Sequence, residues 1–64
     1  MDYIENQYDF YLIEMINKSI DTGNIKFIKT ALNLNSPYSN TIKKIANDVI
    51  YQLLLEKVDD MTIL

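Results

Sequence analysis

The chain has 64 residues, with six lysines, no arginine, nine acidic residues and a formal net charge of −3. It contains neither cysteine nor histidine, which excludes disulfides, thiol chemistry and imidazole catalysis. A chain of this size is long enough for one domain and buries only about 60% of the surface of its unfolded form. Its stability therefore depends on good packing or on a partner subunit.

The same composition indicates a folded protein without a membrane segment. Hydrophobic residues make up 48% of the chain and charged residues 23%, close to the usage of globular domains. No apolar stretch reaches the ~18 residues that a transmembrane helix needs, and the first residues lack the basic region of a signal peptide. Together with the missing cysteines, this predicts a cytoplasmic protein.

A single glycine and a single proline divide the chain into three segments, each with helical periodicity. The predicted fold class is all-α, a single domain over residues 1–64 in which two longer antiparallel helices are joined by a short one. The predicted helices cover about residues 2–20, 25–34 and 37–58, and residues 59–64 form a C-terminal tail.

Residues of the right type stand at each predicted helix boundary. Gly23 can take the left-handed conformation that ends a helix, and Asn24 is a good N-cap for the second helix. Ser36 followed by Pro37 predicts the start of the third helix. The apolar stripes expected to face the core are Ile4, Tyr8, Tyr11, Leu12, Met15 and Ile16 in the first helix, and Tyr38, Ile42, Ile45, Ala46, Val49 and Leu53 in the third.

Residues 49–55 are apolar nearly all round a helix, which is typical of a helix buried on more than one side. A buried strand is the alternative for this run. As a helix, it carries a second apolar set opposite the core face, and we expect a homodimer that uses it. The predicted partner or dimer interface consists of Tyr3, Phe10, Ile13, Tyr51, Leu54, Leu55 and Val58.

The acidic residues of the first helix are the other candidate surface. Asp2, Glu5, Asp9 and Glu14 are predicted to steer the chain to a basic patch on a partner. A pair such as Glu5 and Asp9 has the spacing of acid–base or metal-binding carboxylates, but a solvated face is the simpler interpretation. We therefore expect no catalytic residue, no metal and no cofactor. The predicted function is a non-catalytic, protein-binding regulator, such as an inhibitor or an anti-repressor-like factor.

Residues 28–45 resemble a helix-turn-helix, with a short helix, a polar turn and then Thr-Ile-Lys-Lys-Ile. The resemblance implies DNA binding as the alternative function, with Ser39, Asn40, Lys43 and Lys44 facing bases and phosphates. The turn is two or three residues longer than usual, and the chain is net acidic, whereas phosphate binding needs several cations. Protein binding is therefore the leading prediction, and nucleic-acid binding follows it.

Overall fold

The computed structural model of the chain describes residues 7–62, with side chains through residue 57. This part forms three α-helices, α1 (Tyr8–Thr22), α2 (Lys26–Asn33) and α3 (Asn40–Thr62), and contains no strand. The predicted all-α fold with three helices is confirmed, and residues 49–55 are helical. Among the described helices, none is long and apolar enough to cross a membrane.

The junction between α1 and α2 follows the prediction closely. Gly23 has a φ of 67° and ends α1 in the left-handed conformation. The N–H of Asn24 donates to the carbonyl of Ser19 at 3.1 Å, which closes a Schellman-type cap. The Asn24 side chain then accepts a hydrogen bond from the N–H of Lys26 at 2.9 Å and so caps α2. The end of α1 lies at Thr22, two residues beyond the predicted one.

The start of α3 differs from the prediction by three residues. The helix begins at Asn40, and Ser39 rather than Ser36 is its N-cap. The Ser39 hydroxyl accepts a hydrogen bond from the N–H of Ile42 at 3.4 Å, and the Ser39 carbonyl accepts one from Lys43 at 3.1 Å. The Ser36 carbonyl accepts a hydrogen bond from the N–H of Tyr38 at 2.8 Å, before the helix begins. Ser36 and Pro37 therefore belong to the connection.

The C-terminal half of α3 is longer than predicted. The helix runs to Thr62, so residues 59–62 of the predicted tail are helical, and the last two residues lie outside the described part. The sequence between Val58 and Thr62 has no glycine or proline that would stop the helix.

One core joins the three helices. Three residues that the apolar pattern predicts for the core are instead exposed. They are Tyr8, Tyr11 and Ile45. Ile4 lies outside the described residues. The buried face of α1 is rotated toward Asp9 and away from the two tyrosines. The core consists of Leu12, Met15, Ile16, Ile28, Ala31, Tyr38, Ile42 and Ala46, with Ile13, Phe27, Leu32, Val49 and Ile50 packed against it.

The relative direction of α1 and α3 corrects the predicted antiparallel arrangement. Asp9, at the start of α1, is hydrogen-bonded to Ser39, at the start of α3. Ile20, near the end of α1, lies beside Val49 and Leu53 in the middle of α3. The two helices therefore run in the same general direction. The reason is that α2 is a full helix packed on α1, so the chain reverses twice between α1 and α3.

Candidate protein-binding surfaces

The first candidate surface is the outer stripe of α3, formed by Tyr51, Leu54 and Leu55. These side chains are 61%, 44% and 39% exposed. At 100° per residue they point away from the face that carries Ile42 and Ala46. The structure therefore leaves these three predicted interface residues open to contact. Val58, the fourth predicted member on this helix, belongs to α3, but its side chain lies outside the described residues.

The second candidate surface is an apolar groove between the end of α1 and the middle of α3. It holds about 260 Å³ of open space and is lined by Ile20, Ile45, Asp48, Val49, Gln52, Leu53 and Glu56. Ile20 and Ile45 are 52% and 44% exposed. Both charged residues of the lining are carboxylates. The periodicity of α3 predicts Ile45, Val49 and Leu53 as core residues, and it misses the groove because the groove also needs the end of α1 beside them.

The predicted acidic face of α1 needs a correction. Asp9 is 0% exposed, so its carboxylate is not part of a solvated surface. Glu14 is exposed, as predicted, whereas Asp2 and Glu5 lie outside the described residues. The buried carboxylate has a hydrogen-bond partner, because one of its oxygens accepts a hydrogen bond from the N–H of Ser39 at 2.9 Å. Pairing with a backbone donor at a helix start makes this burial tolerable.

Two other buried polar groups tie the helices together, and sequence reasoning missed both. The Ser19 hydroxyl accepts a hydrogen bond from the N–H of Ile28 at 3.2 Å. The Tyr38 hydroxyl donates to the carbonyl of Ala31 at 2.9 Å, near the end of α2. The first bond satisfies an N–H in the first turn of α2, which has no intrahelical acceptor. The second adds a donor to the Ala31 carbonyl, which also accepts the N–H of Leu34 at 3.1 Å. These contacts fix the positions of α2 and α3, and so the shape of the groove.

The predicted interface residues of α1 are not part of the outer stripe. Phe10 is exposed but lies next to Asp9, at the end of the molecule where α3 starts. Tyr51 is twelve residues further along α3 than Ser39, a distance of roughly 18 Å at 1.5 Å per residue. Ile13 is half-buried and packs against the core. Tyr3 lies outside the described residues.

The residues predicted for DNA contact are not equally accessible. Asn40, Lys43 and Lys44 are exposed in the first turns of α3, whereas Ser39 is buried as the N-cap. Six residues separate α2 from α3, compared with the three or four of a helix-turn-helix. The structure therefore exposes two adjacent lysines at the start of α3, but the connection between α2 and α3 is longer than that of a helix-turn-helix.

Two more lysines lie at the junction of α1 and α2. The ammonium groups of Lys18 and Lys26 are 5.6 and 5.4 Å from the centre of the Phe27 ring, within the range of a cation–π contact. These two charges therefore already have a contact within the chain, on a ring that is half-buried.

Comparison of the chain with protein-family models, with curated proteins and with solved structures gives no match. Among the side chains that the structure describes, no group of three or more acidic residues is arranged to hold a metal ion. The candidate surfaces are therefore judged on their geometry and chemistry alone.

Proposed function

We propose that this chain is a non-catalytic, protein-binding regulator that forms a homodimer through the outer stripe of α3. The observation that carries the proposal is the length of α3 beyond the core. Leu53 is 8% exposed and is the last buried residue described, yet the helix continues for nine more residues to Thr62. Nine residues of helix are roughly 13 Å long, and an apolar stripe on such an extension is stabilised by burial against a partner.

The spacing of the stripe supports a second copy as the partner. Positions 51, 54, 55 and 58 are symmetric about the midpoint between Leu54 and Leu55. In an antiparallel pair of α3 helices, a two-fold axis at this point sets position 51 opposite 58 and position 54 opposite 55. Such a contact is isologous, the commonest kind in small homo-oligomers. The sequence 51–58 thus carries a self-complementary apolar set.

A small domain also gains stability from this association. Each buried leucine or tyrosine side chain contributes on the order of 1.5–3 kcal/mol when it is fully removed from water. A 64-residue chain has a marginal core of its own, so a few such side chains are a large part of its total stability. The stability of the folded chain is therefore expected to rise with protein concentration.

The test is the molar mass in solution, measured by size-exclusion chromatography with light scattering at micromolar to hundred-micromolar concentration. The unmodified chain is expected to give a dimer, and the double variant Leu54→Asp, Leu55→Asp a monomer with the same helical circular dichroism per residue. Leu34→Asp is the matched control, because Leu34 is an exposed leucine outside the stripe. It should leave the dimer unchanged.

Two outcomes would overturn the proposal. One is an unmodified chain that stays monomeric at the highest concentration. The other is a double variant that remains dimeric, which would move the interface to another face of the molecule. If the double variant fails to fold, the single variants Leu54→Gln and Leu55→Gln give the same comparison through a weaker dimer.

A further inference from the structure

We infer that the apolar groove between α1 and α3 binds an amphipathic helix of a partner protein, with basic residues along one edge of that helix. This inference deepens the proposed function, because it names the chemistry of the regulated partner. It concerns a different surface from the outer stripe of α3, so the two can be tested separately.

The groove is built from two parallel rows of side chains on α3. Ile45, Val49 and Leu53 are spaced by four residues and form an apolar row. Asp48, Gln52 and Glu56 have the same spacing and form a polar row beside it. Rows at a spacing of four residues are the ridges into which a second helix packs. Ile20 of α1 adds a further apolar side chain to the lining of the groove.

The size and openness of the groove favour anchor side chains over a small molecule. Its volume of about 260 Å³ lies below the roughly 300–1,000 Å³ that is usual for small-molecule sites. It is large enough for one or two leucine-sized side chains that project from a partner helix. Helix-in-groove recognition uses such anchors at i, i+3, i+4 and i+7.

The carboxylates at the rim of the groove favour cationic side chains along one edge of the partner helix. Asp48 and Glu56 are both exposed, and their separation of eight positions corresponds to roughly 12 Å along α3. Two cationic side chains spaced by two turns of helix match this distance. Among the described residues, no cation lines the groove. A helix with lysine or arginine at these two positions therefore gains attraction from both carboxylates. An acidic helix or an anionic lipid surface meets repulsion there.

The probe for this test is a fluorescein-labelled synthetic peptide, helical in design, with a leucine stripe and two lysines spaced by two turns beside that stripe. A control peptide has the same composition, but its lysines are moved by one position, to the face opposite the leucines. A second control carries glutamate in place of the two lysines. Binding to the full chain is measured by fluorescence anisotropy at physiological salt. The first peptide is expected to bind roughly fivefold more tightly than the control with displaced lysines, which lacks the two charge pairs. It should bind about tenfold more tightly than the glutamate control, which also meets repulsion.

Variants of the chain test the two rows separately. Asp48→Asn with Glu56→Gln is expected to weaken the binding of the first peptide roughly fivefold, since exposed charge pairs are each worth a fraction of a kcal/mol. Ile45→Lys removes an exposed anchor contact and adds a cation, and it is expected to abolish binding. Glu14→Gln is the matched control, because Glu14 is an exposed carboxylate that does not line the groove. It should bind like the unmodified chain.

Several results would overturn the inference. They are equal binding of the three peptides, unchanged binding by the groove variants, or equal weakening by Glu14→Gln. Loss of the dimer in Ile45→Lys, measured by light scattering, would instead assign the groove to a second copy of the chain. Conversely, if Leu54→Asp, Leu55→Asp remains dimeric while the peptide results hold, the proposed dimer fails and the groove inference stands.

Discussion

The carboxylate of Asp9 accepts a hydrogen bond at 2.9 Å from the backbone N–H of Ser39, thirty residues further along the chain. Both residues are buried. Ser39 is the N-cap of α3, so this bond connects the first turn of α1 to the start of the longest helix. The carboxyl group also lies at the N-terminal end of α3, which is the positive end of the helix dipole. A polar contact inside the molecule thus determines where α3 begins and which way it runs relative to α1.

Removal of the Asp9 carboxylate should destabilise the fold. Asp9→Ala leaves a buried N–H without an acceptor, and a cost of about 2–3 kcal/mol is expected. Asp9→Asn keeps an acceptor oxygen for this N–H, so its cost should be smaller. Urea unfolding followed by circular dichroism measures both values. Asp21→Ala is the control, since Asp21 is exposed in the last turn of α1. Equal stability of Asp9→Ala and Asp21→Ala would contradict the role assigned to the buried bond.

The hydroxyl of Tyr38 should contribute measurably to stability, whereas that of Tyr51 should not. Tyr38→Phe removes the donor to the Ala31 carbonyl and is expected to cost about 1 kcal/mol, the usual net value of such a bond. Tyr51 is exposed on the outer stripe, so Tyr51→Phe is expected to be neutral for folding. The two variants delete the same atom and are compared directly by thermal unfolding. A larger loss in Tyr51→Phe would show that α3 is packed differently.

Gly23 tests the backbone conformation at the end of α1. Its φ of 67° is left-handed, and a Cβ at this position would meet no atom within 4 Å. The cost of Gly23→Ala is therefore conformational and is expected to be about 1 kcal/mol. Gly23→Asn should cost less, because asparagine tolerates the left-handed region. Chemical denaturation of both variants checks this order, and the reverse order would argue against the left-handed cap.

The contrast between Gly23 and Ser39 shows what the sequence can and cannot predict about this fold. The end of α1 is predictable because a single glycine between two helical patterns has one obvious place in a left-handed cap. The start of α3 is not, because Ser36 and Ser39 are equally good N-caps and Pro37 favours the earlier one. The choice is made by Asp9, which binds the N–H of Ser39 from a distant part of the chain. Local propensity carries no information about that contact.

The candidate surfaces differ in the same way: a surface on one helix can be predicted from its sequence, whereas a surface between two helices cannot. The outer stripe of α3 depends on the periodicity of one helix, so Tyr51, Leu54 and Leu55 are found from sequence alone. The groove depends on Ile20 and Ile45 lining the same space. Predicting it requires the direction of α1 relative to α3, which was predicted wrongly from the sequence. The acidic face failed at Asp9 because an aspartate in a helical pattern is normally at the surface. Its partner here is a backbone group that sequence patterns do not reveal.

Exchange of Lys43 and Lys44 for glutamine should leave both folding and partner binding intact. Both side chains are exposed and neither lines the groove, and surface changes of this kind usually alter stability by less than about 0.5 kcal/mol. A random DNA duplex at physiological salt should not bind the unmodified chain, because two adjacent lysines on a net acidic protein neutralise few phosphates. Electrophoretic mobility shift is the measurement. A complex that forms with the unmodified chain and disappears in the double variant would establish DNA binding instead.

Leu53 and Leu54 are adjacent in α3 and should respond to the same substitution in different ways. Leu53 is buried, so Leu53→Ala is expected to lower the stability by about 2–3 kcal/mol at every protein concentration, the usual cost of a truncated core leucine. Leu54 lies on the outer stripe, and Leu54→Ala should have little effect at concentrations below those at which the proposed dimer forms. At high concentration the proposed dimer would gain stability by mass action, and Leu54→Ala should reduce that gain. Thermal unfolding across a hundredfold range of concentration separates the two effects. A melting temperature of the unmodified chain that does not change with concentration would contradict the proposed dimer. The prediction for Leu53→Ala does not depend on that result.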